Sequence, residues 1–112
     1  MRPLIEALDP DTLAWKPIEG FEGLWQKYLS VDEETGDYSR LLKLAPGFSS
    51  DVILAHDFCE ETMVISGSVR DHTAGITMKV GHYSHLPPGT EHGPYSSEEC
   101  CIVFEIHFGM PQ

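Results

Sequence analysis

The 112-residue sequence has few basic residues, few cysteines and no long apolar run. Seven lysines and arginines stand against eighteen acids, and the formal charge of -11 argues against nucleic acid and anionic membranes as partners. No apolar stretch approaches the roughly 18 to 20 residues of a membrane span, and the first residues lack the apolar segment of a secretory signal. We therefore expect a soluble, cytoplasmic protein with no nucleic-acid or membrane partner.

The cysteines and the common catalytic motifs are equally sparse. Cys59, Cys100 and Cys101 form a poor disulfide framework, because their number is odd and two of them are adjacent. We expect reduced thiols, as in a cytoplasmic compartment. The chain also has no phosphate-binding glycine loop, no Gly-x-Ser-x-Gly elbow and no Cys-x-x-Cys pair. Phosphate-loop, serine-hydrolase and dithiol chemistry therefore have no support in the sequence.

Glycine and proline are frequent, with ten and eight residues, and their even spread predicts many turns between short strands. No segment shows a clear helical period. Alternation and turn signals predict strands over residues 13–18, 24–31, 38–45, 51–56, 60–66, 69–71, 76–80, 83–86 and 100–108. This spacing predicts a single all-β domain over 1–112, in which a jelly-roll-like barrel over 20–108 follows an N-terminal arm and edge strand over 1–19.

Two stretches contain residues of the types that bind metal ions. Residues 56–67 read His, three residues, Glu, six residues, Gly. Residues 81–92 read Gly, five residues, Pro-Pro-Gly, two residues, His. Imidazole and carboxylate groups on rigid strands are a common ligand set for transition metals. The candidate ligands are therefore His56, Glu60 and His92.

These spacings resemble the two motifs of the cupin superfamily, the first of which begins with His-x-His. The second motif matches in full, and the first matches from its second histidine onward. The position of the family's first histidine holds Leu54, which cannot ligate a metal. Within the superfamily the chain resembles the cupin domain of ChrR-type anti-sigma factors and the acetylacetone-cleaving dioxygenases, through residues 32–47, 60–67 and 86–95.

The resemblance implies a cupin, or RmlC-like, jelly-roll double-stranded β-barrel that binds a divalent metal ion through His56, Glu60 and His92. Iron is the expected ion, and zinc, nickel and manganese are alternatives. Two histidines and a carboxylate leave coordination positions open for substrate or dioxygen. Alternatively, without that histidine the site binds the metal weakly or not at all. Cys59 as an extra ligand and Glu61 in place of Glu60 are weaker alternatives, because strand alternation points both away from the interior.

Three functions are compatible with the resemblance. The first is a metal-dependent, Fe(II)-type oxygenase, or a related isomerase or lyase, acting on a small organic substrate in the barrel. The second is a non-catalytic metal- or ligand-binding sensor, and the third is a barrel that has lost its metal and binds an organic ligand. Cupins of this size commonly pair through N-terminal strands, so the resemblance also implies a homodimer, with Trp15 and Trp25 at the contact.

A few further residues have assignable places. His107 lies with Glu105 on the more polar face of the last strand, and a supporting role of His107 behind the metal ligands is one alternative. Met63 and Met78 are predicted to fill the core. The histidine at position 85 is not one of the motif positions, and it is expected to lie on its strand without a role in the site.

Overall fold

The computed structural model describes residues 1–112, and it contains two antiparallel sheets that pack around a shared interior. The strands are β1 (Lys16–Pro17), β2 (Leu24–Val31), β3 (Tyr38–Leu44), β4 (Phe48–Ser49), β5 (Cys59–Ser66), β6 (Ser68–Asp71), β7 (Ile76–Lys79), β8 (Tyr83–Leu86), β9 (Tyr95–Ser97) and β10 (Cys101–Phe108). One sheet has the order β1-β2-β3-β10-β5-β8 and the other β4-β9-β6-β7. The predicted all-β jelly roll is confirmed, although the two sheets do not close into a continuous barrel.

The N-terminal arm lies against the outer side of β2 and β3. Its one helical element is a 3-10 turn over Pro10–Thr12, and no helix in the structure is long and apolar enough to cross a membrane. The buried Lys27 ammonium donates to the Pro10 carbonyl at 2.7 Å, and the Arg2 guanidinium donates to the Ser39 hydroxyl at 2.6 Å. These bonds tie the arm to the large sheet.

The interior is apolar at one end and polar at the other. Along β10 the inward positions run from Cys101 and Val103 to Glu105 and His107, and all four are buried. The neighbouring β5 also changes from apolar to polar along its inner face, because Val64 lies opposite Val103 and Glu60 lies opposite His107. The apolar end contains the core, which consists of Leu44, Phe48, Val64, Val69, Cys101 and Val103. Side-chain alternation in two long strands thus carries charged groups into the polar end.

The turn between β5 and β6 explains the glycine that closes the first motif. Gly67 has a φ of +74°, and an added Cβ would lie 2.1 Å from the carbonyl oxygen of Cys100. Because no side chain fits at that distance, the turn can pass the start of β10 only as glycine. The motif spacing therefore reflects a close approach of two backbones.

The structure corrects several sequence predictions of local structure. The strand expected over 51–56 is absent, and only Leu54 pairs, through an isolated bridge to His92. The first strand is confined to Lys16–Pro17 rather than 13–18. The strands β4 and β9 were not predicted. Their two and three residues are too short to show a period.

The two methionines predicted to fill the core have different environments. Met63 points outward from β5 and is 43% exposed, so that prediction is wrong. Its position follows from alternation, because the buried Thr62 and Val64 flank it on the strand. Met78 does pack against the core cluster, as expected.

Candidate metal centre

A cavity of about 280 Å³ lies in the interior and contains the predicted ligands. His56, Glu60 and His92 all line it, together with Glu105 and His107, and most other lining residues are apolar. The structure therefore brings the three motif residues to one cavity, although they come from segments far apart in the chain. His56 also borders a shallow surface depression, which places it at the mouth of the cavity.

His92 is held from both its backbone and its ring. Its backbone exchanges hydrogen bonds with Leu54, at 2.7 and 2.9 Å, and its ring Nδ1 is hydrogen-bonded to the Tyr95 hydroxyl. The side chain is buried, and its Nε2 has no hydrogen-bond partner. An unpaired buried polar atom costs about 1–3 kcal/mol. A metal ion bound at Nε2 would remove that cost, so His92 fits a ligand role.

His56 lies next to His92 in a form suited to metal binding. Its ring stacks on Phe58 with centroids 4.6 Å apart, and the His92 ring lies edge-on to it at 4.9 Å. Burial lowers the pKa of His56, although the nearby Glu60 opposes this shift. The neutral imidazole is therefore favoured, and this is the form that binds metals.

Glu60 belongs to a second group of buried ionisable side chains. It pairs in register with His107 across β5 and β10, and the His107 Nε2 lies 2.8 Å from its carboxylate. The same nitrogen lies 3.2 Å from Glu105, whose carboxylate is 2.8 Å from Nε of Arg40. Ligand atoms of Glu60, Glu105 and His107 all fall within 4.8 Å of one another, so these residues form a candidate metal-binding triad.

The charges of this group compensate one another. Burial alone would raise the pKa of Glu105, but Arg40 and His107 outweigh it and lower the pKa. Burial likewise opposes the charged form of His107, yet hydrogen bonds to Glu105 and Glu60 dominate and raise its pKa. In the metal-free protein, His107 is thus favoured as an imidazolium between two carboxylates. Pairing of this kind is what makes buried charges tolerable.

Two tyrosines fix the orientation of two histidine rings. The Tyr38 hydroxyl lies 2.8 Å from Nδ1 of His107, and the rings stack with centroids 4.6 Å apart. Tyr95 makes the equivalent bond to His92. Burial raises the pKa of Tyr38 to about 12 and raises the pKa of Tyr95 as well, so both stay neutral phenols. Such partners at one ring nitrogen orient the other nitrogen of a metal-binding histidine.

The structure also separates the sequence candidates that face outward. Glu61 is hydrogen-bonded to the Tyr83 hydroxyl on the outer face, and Cys59 shares that face because it lies two positions before Glu61 on β5. Neither lines the cavity, as alternation predicts.

Sequence reasoning missed two cavity residues of β3, Tyr38 and Arg40. They pair in register with His107 and Glu105, respectively. The available signal was the matching alternation of polar residues on β3 and β10. That signal is readable only when the two strands are known to be neighbours.

The sequence matches a known family along nearly all its length. The profile of the ChrR cupin-like domain matches residues 6–110. Among curated proteins, none matches the chain.

Solved structures show the same fold. An RmlC-like cupin from Ralstonia eutropha JMP134 superimposes with a TM-score of 0.77 at 22% identity, covering 93% of this chain and 68% of that one. An acetylacetone dioxygenase from Acinetobacter johnsonii gives 0.75 at 18%, covering 96% and 74%. A structure of Rhodobacter sphaeroides SigE in complex with the anti-sigma ChrR gives 0.67 at 24%, covering 86% and 49%. At these identities the likeness establishes the fold alone.

Proposed function

The chain belongs to the ChrR cupin-like domain family, and on that premise we propose that it binds a divalent metal ion through His56, Glu60 and His92. The observation that carries the proposal is the buried, unpartnered Nε2 of His92, which lines the same cavity as the other two residues. Nothing in the protein satisfies this atom, whereas an ion among the three side chains would.

We propose iron as the ion, with zinc, nickel and manganese as alternatives. The donors are imidazole nitrogen and carboxylate oxygen, which suit Fe(II) and similar ions. No thiolate competes, since Cys59 faces away from the cavity. When bound, such an ion supplies a Lewis acid or an oxygen-binding centre.

The proposed activity is that of an Fe(II)-type oxygenase, or a related isomerase or lyase, acting on a small organic molecule. A cavity of about 280 Å³ lies near the lower limit of ligand pockets, roughly 300 Å³, which favours a compact substrate. Its mostly apolar walls would exclude water from the substrate, and Phe58 beside His56 would border its entry. The fold shared with an acetylacetone dioxygenase makes a small dicarbonyl compound the first substrate class to test.

A second candidate function is a metal or ligand sensor without catalysis. The family profile and the fold shared with a structure of SigE bound to the anti-sigma ChrR favour it. In that case the same residues would hold the ion, and occupancy of the cavity would alter contacts with another protein.

We further propose a cytoplasmic homodimer. The three cysteines are unpaired, and Cys100 is exposed, which suits a reducing compartment. Trp15 and Trp25, for which the family resemblance implies a subunit contact, are only partly buried in the single chain.

Elemental analysis tests the metal proposal. The purified protein should hold one divalent ion per chain, and His56→Ala and His92→Ala should each lose most of it. His85→Ala is the matched control, because this histidine is exposed and lies outside the cavity. Circular dichroism should show that all the variants are folded. A wild-type protein that takes up no ion after reconstitution would contradict the proposal.

Oxygen consumption then separates enzyme from sensor. The iron-loaded protein should consume dioxygen with at least one member of a panel of 1,3-dicarbonyl compounds, and His92→Ala should not. Metal binding without turnover of any compound in the panel would favour the sensor.

A further inference from the structure

The wall of the cavity has a leucine where the family motif has its first histidine. Leu54 lines the cavity directly beside His92, to which its backbone is hydrogen-bonded. Its side chain offers no ligand atom. A site built from the motif residues therefore has one imidazole fewer than the motif normally provides.

A histidine from another strand lies in the same cavity. His107 is 3% exposed, and its Nε2 is 2.8 Å from the Glu60 carboxylate. Its ring centroid is 6.2 Å from that of His56, which in turn is 4.9 Å from that of His92. The rings of His107 and His92 therefore both lie close to the His56 ring, within the cavity that contains Glu60.

These distances match the dimensions of a shared metal site. With a metal–nitrogen bond of about 2.1 Å, a ring centroid lies about 3.2 Å from the ion, so two bound imidazoles have centroids about 4.5 to 6.4 Å apart. Both separations of the His56 ring fall in this range. Two donor atoms at right angles on one ion lie about 3.0 Å apart. The ion pair between His107 Nε2 and Glu60 already holds these two atoms at a similar distance, 2.8 Å.

The rings of His107 and His92 are also oriented in the same way. Each has its Nδ1 hydrogen-bonded to a partly buried tyrosine, Tyr38 for the first and Tyr95 for the second. With Nδ1 donating its proton to the tyrosine oxygen, Nε2 is the nitrogen left to bind a metal. Nε2 of His92 is already unpartnered, whereas Nε2 of His107 would first release the proton that it donates to Glu60 and Glu105. The tyrosine partner at Nδ1 distinguishes His107 from a histidine that only forms an ion pair.

We infer that Nε2 of His107 is a fourth ligand, which replaces from β10 the histidine missing at Leu54. This inference rests on the proposed function, because it adds to the His56, Glu60 and His92 site. Glu105 is not a ligand in this arrangement. Its carboxylate is engaged by Arg40 at 2.8 Å and positions His107. Three imidazoles and one carboxylate would leave two positions of an octahedral ion for substrate and dioxygen, rather than three.

A count of bound imidazoles tests the inference directly. X-ray absorption of the cobalt-loaded wild-type protein should give three imidazoles, and His107→Gln should give two. We expect Co²⁺ affinity to fall by more than about 100-fold in His107→Gln, beyond the 10- to 100-fold loss typical of changes behind the ligands. His85→Gln, on the outer face, should match the wild type.

Restoring the family's ligand gives a second, independent test. Adding Leu54→His to His107→Gln should return the imidazole count to three and bring the Co²⁺ affinity to within about tenfold of the wild type. This double variant also controls for folding, because it keeps the substitution at position 107. A double variant that is folded but still binds weakly would contradict the inference.

The outcomes distinguish this inference from the proposed function. Two imidazoles in the wild type, with binding lost in His92→Gln but not in His107→Gln, would overturn the inference and leave the proposed function standing. One imidazole and two carboxylates, with binding lost in Glu105→Gln but not in His56→Gln, would assign the ion to Glu60, Glu105 and His107. That result would overturn both.

Discussion

At the scale of single residues, the stability of the polar end of the interior depends on how its buried charges are paired. Arg40 and the imidazolium of His107 face the carboxylates of Glu60 and Glu105, so two positive groups balance two negative ones. A buried ion pair adds little net stability, but the loss of one partner leaves an uncompensated charge. The stability of the metal-free protein therefore depends on the presence of all four charged groups.

Arg40→Met should reveal that dependence. The substitution removes the guanidinium that engages the buried Glu105 at 2.8 Å, and the free energy of unfolding of the metal-free protein should fall by about 3–5 kcal/mol. Urea denaturation measures the change. Arg70→Ala is the matched control, because Arg70 is exposed, and its effect should stay within about 0.5 kcal/mol.

Replacing both Arg40 and Glu105 shows whether stability is lost through an unpaired charge or through poorer packing. Arg40→Met combined with Glu105→Leu removes the charge on each side of the ion pair, and the double variant should recover at least half of the lost stability. A double variant as unstable as Arg40→Met alone would show that packing around the guanidinium, rather than pairing, holds this part of the interior.

At the scale of elements, the sequence predicts the bounds of most strands well, but not which face of a strand is interior. The bounds of β2 and β8 are as predicted, because alternation and the flanking turns define both strands. On β10, alternation correctly separates an apolar row from the row with Glu105 and His107. It cannot say which row is interior. The polar row faces inward because its charges find partners on β3 and β5.

The candidate site is likewise only partly predictable from the sequence. The motif spacing names His56, Glu60 and His92, and all three reach one cavity. Spacing alone could not connect His107 with Glu60, because they are 47 positions apart and meet only through strand pairing. The apolar run around Leu54 misled the strand prediction, since only that residue forms a bridge.

The turn between β5 and β6 gives a prediction at this scale. In Gly67→Ala the new methyl group would meet the Cys100 carbonyl, so the backbones of two strands must separate. We expect the free energy of unfolding to fall by about 2–5 kcal/mol, from strain at positive φ together with overpacking. Gly75→Ala is the matched control. It has a φ of +68° but open space around it, and should cost only about 1–2 kcal/mol. Equal losses in a chemical denaturation experiment would contradict the steric explanation.

At the scale of the whole molecule, the large sheet leaves part of its outer face uncovered. The N-terminal arm bonds to residues of β2 and β3, whereas Met63 and Ile65 on β5 and Tyr83 on β8 are 43%, 49% and 54% exposed. Phe104 on β10 pairs with Met63 in the same row. Contiguous apolar patches on a sheet face often mark protein contacts.

This face is an alternative to the surface with Trp15 and Trp25 as the contact of the proposed homodimer, and one substitution separates the two. The wild type should sediment at twice the chain mass of 12.5 kDa, and Ile65→Lys should sediment as a single chain if the face forms the contact. Ile76→Lys is the matched control, because Ile76 is 55% exposed but lies on β7 of the other sheet. A dimer unaffected by Ile65→Lys would move the contact to another surface, such as the arm with Trp15.

Metal binding should also stabilise the molecule as a whole, because the site joins segments that are distant in the chain. His56 and His92 lie outside the strands, whereas Glu60 belongs to β5. A free ion concentration of 100 times Kd would add about 2.7 kcal/mol, which corresponds to a rise in Tm of roughly 10–20 °C for a domain of this size. Thermal melts with and without the ion measure the shift, and a chelator should reverse it. The same ion should leave the Tm of His92→Ala nearly unchanged, and an equal rise in that variant would mean that the ion stabilises the protein from another site.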